Sequence, residues 1–198
     1  MAEYDPKADL HAYLNEERKS VLWKLDGASE YDIRRPVVPS GTNLLGLVKH
    51  LTGVELGYFG ETFERIPDIK KPWGDEPEVV NIDMWATADE SREYIVGQYT
   101  KACEFADKTI EELPIGAIGH VPWWPKERNE VTLHRVLVHV ATETARHAGH
   151  ADIVRELIDG VVGLRQQNDN VPPEEAAWWA DYYAKLEEAA LEAARRAG

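Results

Sequence analysis

Sulfur is scarce in this chain. Of its 198 residues one is cysteine, Cys103, and two are methionine. A single thiol closes no intrachain disulfide and builds no thiolate-rich zinc site. Positive charge is short as well: 22 Lys and Arg stand against 36 Asp and Glu, a formal net charge of -14. A polyanion would meet repulsion over most of such a surface, and nucleic acid is not an expected partner. No apolar run is long enough to cross a bilayer, and the N-terminal stretch MAEYDPKADLHAYLNEERKS has no basic segment leading into an apolar one. Neither export nor a membrane span is expected, and a lone cysteine suits the reducing cytoplasm.

Several catalytic signatures are missing too. There is no HExxH, because the nearest segment reads ETARH (143–147), so a zincin protease would lack its base. The paired ExxH spacing of di-iron bundles is absent, as are GxSxG, a P-loop and GxGxxG. Nucleotide and nicotinamide chemistry therefore has no support.

What is present favours helices. Hydrophobic residues make up 43% of the chain, enough for a core and too many for disorder. No repeat, low-complexity tract or Ser/Gly linker divides it, so residues 1–198 are expected to form one helical domain. Asp5 and Pro6 open a first helix carrying Leu10, Leu14, Val21 and Leu25 until Gly27. A second helix, opened by cap-type residues at 40–43, places Leu44, Leu47, Val48, Leu51 and Val54 on one broad stripe. Its glycines at 46, 53, 57 and 60 lower helix propensity and imply close helix approach or room for a ligand, the former being the commoner reason.

Residues 66–86, with Pro67, Pro72, Trp73, Gly74 and Pro77, read as a long structured loop. Thr87–Glu90 matches a capping box before a third helix with Ile95, Tyr99, Cys103, Ala106 and Ile110, which puts Cys103 in the core rather than in the role of a nucleophile. GHVPWWPKERNE is a loop, a fourth helix runs from Thr132 to about Ile158, and a fifth with Trp178, Trp179, Tyr182, Leu186 and Ala189 is expected to cover an open side of the bundle. No segment alternates at period two, so the fold class is all-α.

Helix four holds the unusual chemistry. Glu143 and His147 lie one turn apart on the face that carries Val136, Val140 and Ala151, and an unpaired buried carboxylate there would cost several kcal/mol. Alone, ExxxH is a weak signal. His50 adds to it, because it sits in an otherwise apolar helix, VKHLTGVE, although a lone histidine in such a place is more often a satisfied core residue.

The segments PSGTNLLGLVKHLTGVELGYF (39–59) and HVATETARHAGHADIVREL (139–157) resemble the DinB/YfiT-like superfamily, most closely its DUF664 branch and the mycothiol-dependent maleylpyruvate isomerases. The resemblance implies a four-helix bundle with an additional C-terminal helix. It also implies a divalent metal held by His50, Glu143 and His147, where many members have histidine at the position of Glu143 and the isomerases have glutamate. Two imidazoles and a carboxylate leave open positions for water or substrate. Zinc is the first choice, with nickel, iron or manganese as alternatives. The implied activity is thiol-dependent S-transfer or isomerisation, with a mycothiol-type small-molecule thiol as cosubstrate and a small electrophile as partner, in a monomer or homodimer. Hydrolysis by metal-activated water and a non-catalytic stress-response role are the rivals.

The other histidines are weighed against this set. His139 is read as facing the cavity without coordinating, with a fourth ligand or a donor to a ligand as the alternatives. His150 is a candidate hydrogen-bond partner of His147. His134, with Glu130, is read as an exposed decoy, His120 as near the cavity mouth, His11 as surface. Arg146 and Trp123–Trp124 are candidates for positioning the electrophile.

Overall fold

Helices in this protein begin where side chains satisfy their free N–H groups. In the computed structural model, which describes residues 5–74, 79–166 and 168–197, Asp5 accepts from the amides of Lys7 and Ala8 and starts α1 (Pro6–Trp23). Asn43 accepts from Gly46 and starts α2 (Leu44–Phe59). Ser91 accepts from Tyr94 and starts α3 (Arg92–Glu112), and Thr132 accepts from Arg135 and starts α4 (Leu133–Asp159), which stops at Gly160 with φ 77°. α5 (Ala176–Ala197) follows the proline pair. Pro77 lies outside the described residues.

The fold is all-α, as expected. α2 packs against α3 and α4, and α1 against α4. Every residue of α2 is buried except His50 and Val54, so it is the central helix, covered all round rather than along one stripe. Its glycines admit loops instead of a second helix. A Cβ on Gly46 would stand 1.9 Å from the Met84 carbonyl oxygen, one on Gly53 2.8 Å from the Trp73 ring, and one on Gly57 2.7 Å from the Trp123 ring.

Four expectations need correction. The Thr87–Glu90 box does not start α3: Glu90 accepts from the Thr87 amide at 2.9 Å, but it also takes the buried Lys49 ammonium at 2.9 Å, and the chain turns into helix only at Ser91. The tryptophan loop is flanked by two short strands, β1 (Ile118–His120) and β2 (Glu130–Thr132), paired antiparallel with Gly119 opposite Val131. Three residues each are too few for a period-two pattern to be read. His11 is not a free surface residue, since its Nε2 lies 2.7 Å from Asp107, which also takes Arg18 at 2.6 Å. Arg18 in turn makes a bidentate pair with the buried Glu55 at 2.8 and 2.7 Å.

The fourth correction concerns α5, which has no buried residue and faces α4 only across an open cleft that Trp179, Tyr182 and Leu186 line with Asp152 and Glu156. Trp178, Tyr182 and Leu186 stay exposed, and Trp178 stacks on Tyr182 at 5.1 Å. None of its residues belongs to either core cluster, both of which are drawn from α1 to α4 and the segments between them.

Candidate metal centre

Because α2 and α4 are neighbours, the one polar break in the burial of α2 faces the middle of α4. His50 Nε2 lies 3.9 Å from Glu143 Oε1, and His147 Nε2 lies 3.3 Å from the same oxygen. The two imidazole rings meet edge to face, with centroids 4.9 Å apart. One donor atom from each of the three residues falls within 4.8 Å of the other two. A tetrahedral ion with bonds of about 2.1 Å keeps its donors about 3.4 Å apart, so small side-chain rotations close this set around one ion. Two imidazoles and a carboxylate are a chemically fitting donor set for zinc and its neighbours in the first transition row.

The environment prepares the ligands. Burial pushes His147 below the usual histidine range, His50 adds to that, and Glu143 opposes it, so near neutral pH the ring keeps a lone pair for coordination. The open side is a cleft of about 290 Å³ with Val54, Tyr58, Trp73 and Trp123 in its wall beside His50 and Glu143. Gly53 and Gly57, one turn apart, make the space that those two indoles fill. A cleft thus lies between α2 and α4, walled by loop tryptophans and not by α5.

The family model for mycothiol S-transferases matches residues 9–160. The chain belongs to that family, within the DinB/YfiT-like proteins. Among curated proteins none matches it. The matched span of the mycothiol S-transferase family starts inside α1 and ends just after α4, so it takes in the bundle and every residue of the cleft and leaves α5 out.

The remaining histidines of this family member sort by geometry. His139 is not among the converging donors; its ring lies 4.6 Å from Tyr58 and 5.3 Å from Trp124, and burial pushes its pKa down. His150 Nδ1 stands 3.4 Å from His147 Nδ1, at the edge of hydrogen-bond range. His134 is exposed, and its supposed partner Glu130 instead approaches His120 at 3.7 Å across the β-ribbon. His120 is therefore held on the exposed hairpin and not at the cleft. Arg146 is exposed on α4 and does not line the cleft, whereas Trp123 does.

One residue escaped the sequence reading. Asp83 sits on a short 3-10 turn, Ile82–Met84, and its Oδ2 lies 2.7 Å from His50 Nδ1. That hydrogen bond outweighs burial and holds the Asp83 carboxyl below the usual carboxylate range. The only hint in the sequence was an acidic residue within a loop expected to be structured.

Proposed function

We propose that this chain is a metal-dependent thiol S-transferase or isomerase that uses an external mycothiol-type thiol against a small electrophile. The observation that carries the reading is the convergence of His50, Glu143 and His147 beside an aromatic-walled cleft that His50 and Glu143 line, in a chain of the mycothiol S-transferase family. A bound divalent ion, zinc by first choice with nickel, iron or manganese as alternatives, would take a thiol sulfur and keep it as thiolate near neutral pH. His50, Glu143 and His147 would hold that ion, and their combined charge would leave it net positive. Tyr58, Trp73 and Trp123 would exclude water and seat an apolar electrophile above the sulfur.

The nucleophile is not Cys103. Its thiol is packed against the core, and burial pushes its pKa far above the usual thiol range. A free thiol and an external thiol cosubstrate both fit the reducing cytoplasm, which is the proposed setting. No described helix is long and apolar enough to cross a membrane. The acidic surface argues against nucleic acid as a partner.

The test combines metal analysis with a thiol-dependence assay. His50→Ala, Glu143→Ala and His147→Ala are each expected to lose most bound metal while His134→Ala keeps it, and Cys103→Ala is expected to retain thiol-dependent turnover. Equal metal content in all of the histidine and glutamate variants, or turnover that needs no added thiol, overturns the reading.

A further inference from the structure

The two nitrogens of His50 face different partners. Nε2 is the atom turned toward Glu143, at 3.9 Å, whereas Nδ1 meets Asp83 Oδ2 at 2.7 Å. A neutral imidazole carries one N–H, and a carboxylate accepts but cannot donate, so the proton sits on Nδ1 and the lone pair on Nε2. Free histidine prefers the opposite tautomer, with the proton on Nε2, which would block the donor atom. Asp83 lies outside the converging set and on the far edge of the ring, so it is a partner of a ligand and not a ligand.

The fold takes trouble to put Asp83 there. It comes from a loop far from both helices in sequence, and that loop is strapped to α2 at three points. Asn43 donates to the Met84 carbonyl at 3.1 Å, Lys49 donates to the Trp85 carbonyl at 3.1 Å, and Gly46 lets Met84 approach where a Cβ would collide. Asn43 caps α2, and Gly46 and the adjacent Lys49 and His50 follow on its first two turns, so the strap and the ligand share a rigid frame. Among the described residues His147 has no comparable support, its Nδ1 facing His150 at 3.4 Å.

We infer that Asp83, docked by the Asn43–Gly46–Lys49 strap, is the positioning residue that fixes the tautomer and ring orientation of His50 for metal binding. The inference rests on the proposed role of His50 as a ligand. Carboxylates that accept from a ligating imidazole generally contribute about 10- to 100-fold to metal affinity.

The test uses the full-length protein freed of metal, with Zn²⁺ alone titrated in competition with a chromophoric chelator. Asp83→Ala is expected to weaken Zn²⁺ binding by about 10- to 100-fold while the circular dichroism and melting of the metal-free protein stay close to wild type. Asp83→Asn keeps an oxygen that accepts from Nδ1–H, so its affinity is expected between the two. Co²⁺ in the same site is expected to give a visible spectrum altered in the alanine variant and restored toward wild type in the asparagine variant. Should the alanine variant not fold, the asparagine variant carries the test through its reduced Zn²⁺ affinity. Wild-type affinity and spectrum in a folded Asp83→Ala, or in Asp83→Asn if it alone folds, overturn this inference while leaving the metal site standing. Absence of Zn²⁺ binding in the wild-type protein overturns both.

Discussion

His139 and His147 sit on one helix and share one electrostatic condition: burial lowers the pKa of each below the ordinary 6.5. Between the lowered folded value and 6.5, the unfolded chain binds protons that the folded chain resists. These two histidines therefore lower the stability of the metal-free protein as pH drops through that window, whereas Glu17 and Glu55, whose carboxyls burial pushes up, act in the opposite sense. The carboxylates held low by partners, Asp83, Asp107 and Asp159, add their own loss only below their ordinary 3.8 and so stay out of it. His139→Gln is expected to shrink the histidine contribution to the slope of urea-unfolding stability just below pH 6.5 without abolishing it, because His147 still titrates. An unchanged slope would mean that His139 does not carry the proton difference.

Among the elements, α2 depends most on its glycines, and they are not equivalent. Gly46→Ala drives a methyl into the Met84 carbonyl and has to push the 82–84 turn off the helix. The expected cost is about 1–3 kcal/mol in denaturant unfolding, together with weaker zinc binding as Asp83 moves with the turn. At Gly97 in α3 and Gly149 in α4, an added Cβ would meet no atom of the described residues within 4 Å beyond its chain neighbours and the helix's own backbone. Alanine at either position is expected to raise stability by about 0.5–1 kcal/mol, through lower backbone entropy in the unfolded chain, and to leave metal content alone. A stabilised Gly46→Ala would contradict the strap.

At the scale of the whole molecule, α5 meets the bundle only along an open cleft beside α4. The loop before it is tied down: Ser20 donates to the Leu164 carbonyl, Lys24 donates to the Gly163 carbonyl, and Arg165 pairs with Glu16 at 2.9 Å. α5 itself buries no residue. Ending the chain after Val171 is therefore expected to change unfolding free energy by less than about 1 kcal/mol and to leave zinc affinity as it was. A loss of several kcal/mol would show that α5 supports the bundle after all.

The sequence by itself determined the helices, the all-α class and the pairing of Glu143 with His147, because helical spacing is a local property and caps such as Asp5, Asn43 and Thr132 act within one turn. His50 joined that pair through a motif resemblance, since nothing local says which helix α2 will face. Only the tertiary structure decided the rest. Asp83 reaches His50 across a loop, Arg18 finds Glu55 and Asp107 on two other helices, and Trp73 and Trp123 fill the hollows left by Gly53 and Gly57. Each of these joins residues far apart in the chain, and side-chain periodicity carries no information about partners beyond its own element. The exposure of α5 belongs here as well: its apolar residues predict a partner, but whether four other helices have already closed the core is a property of the packed bundle.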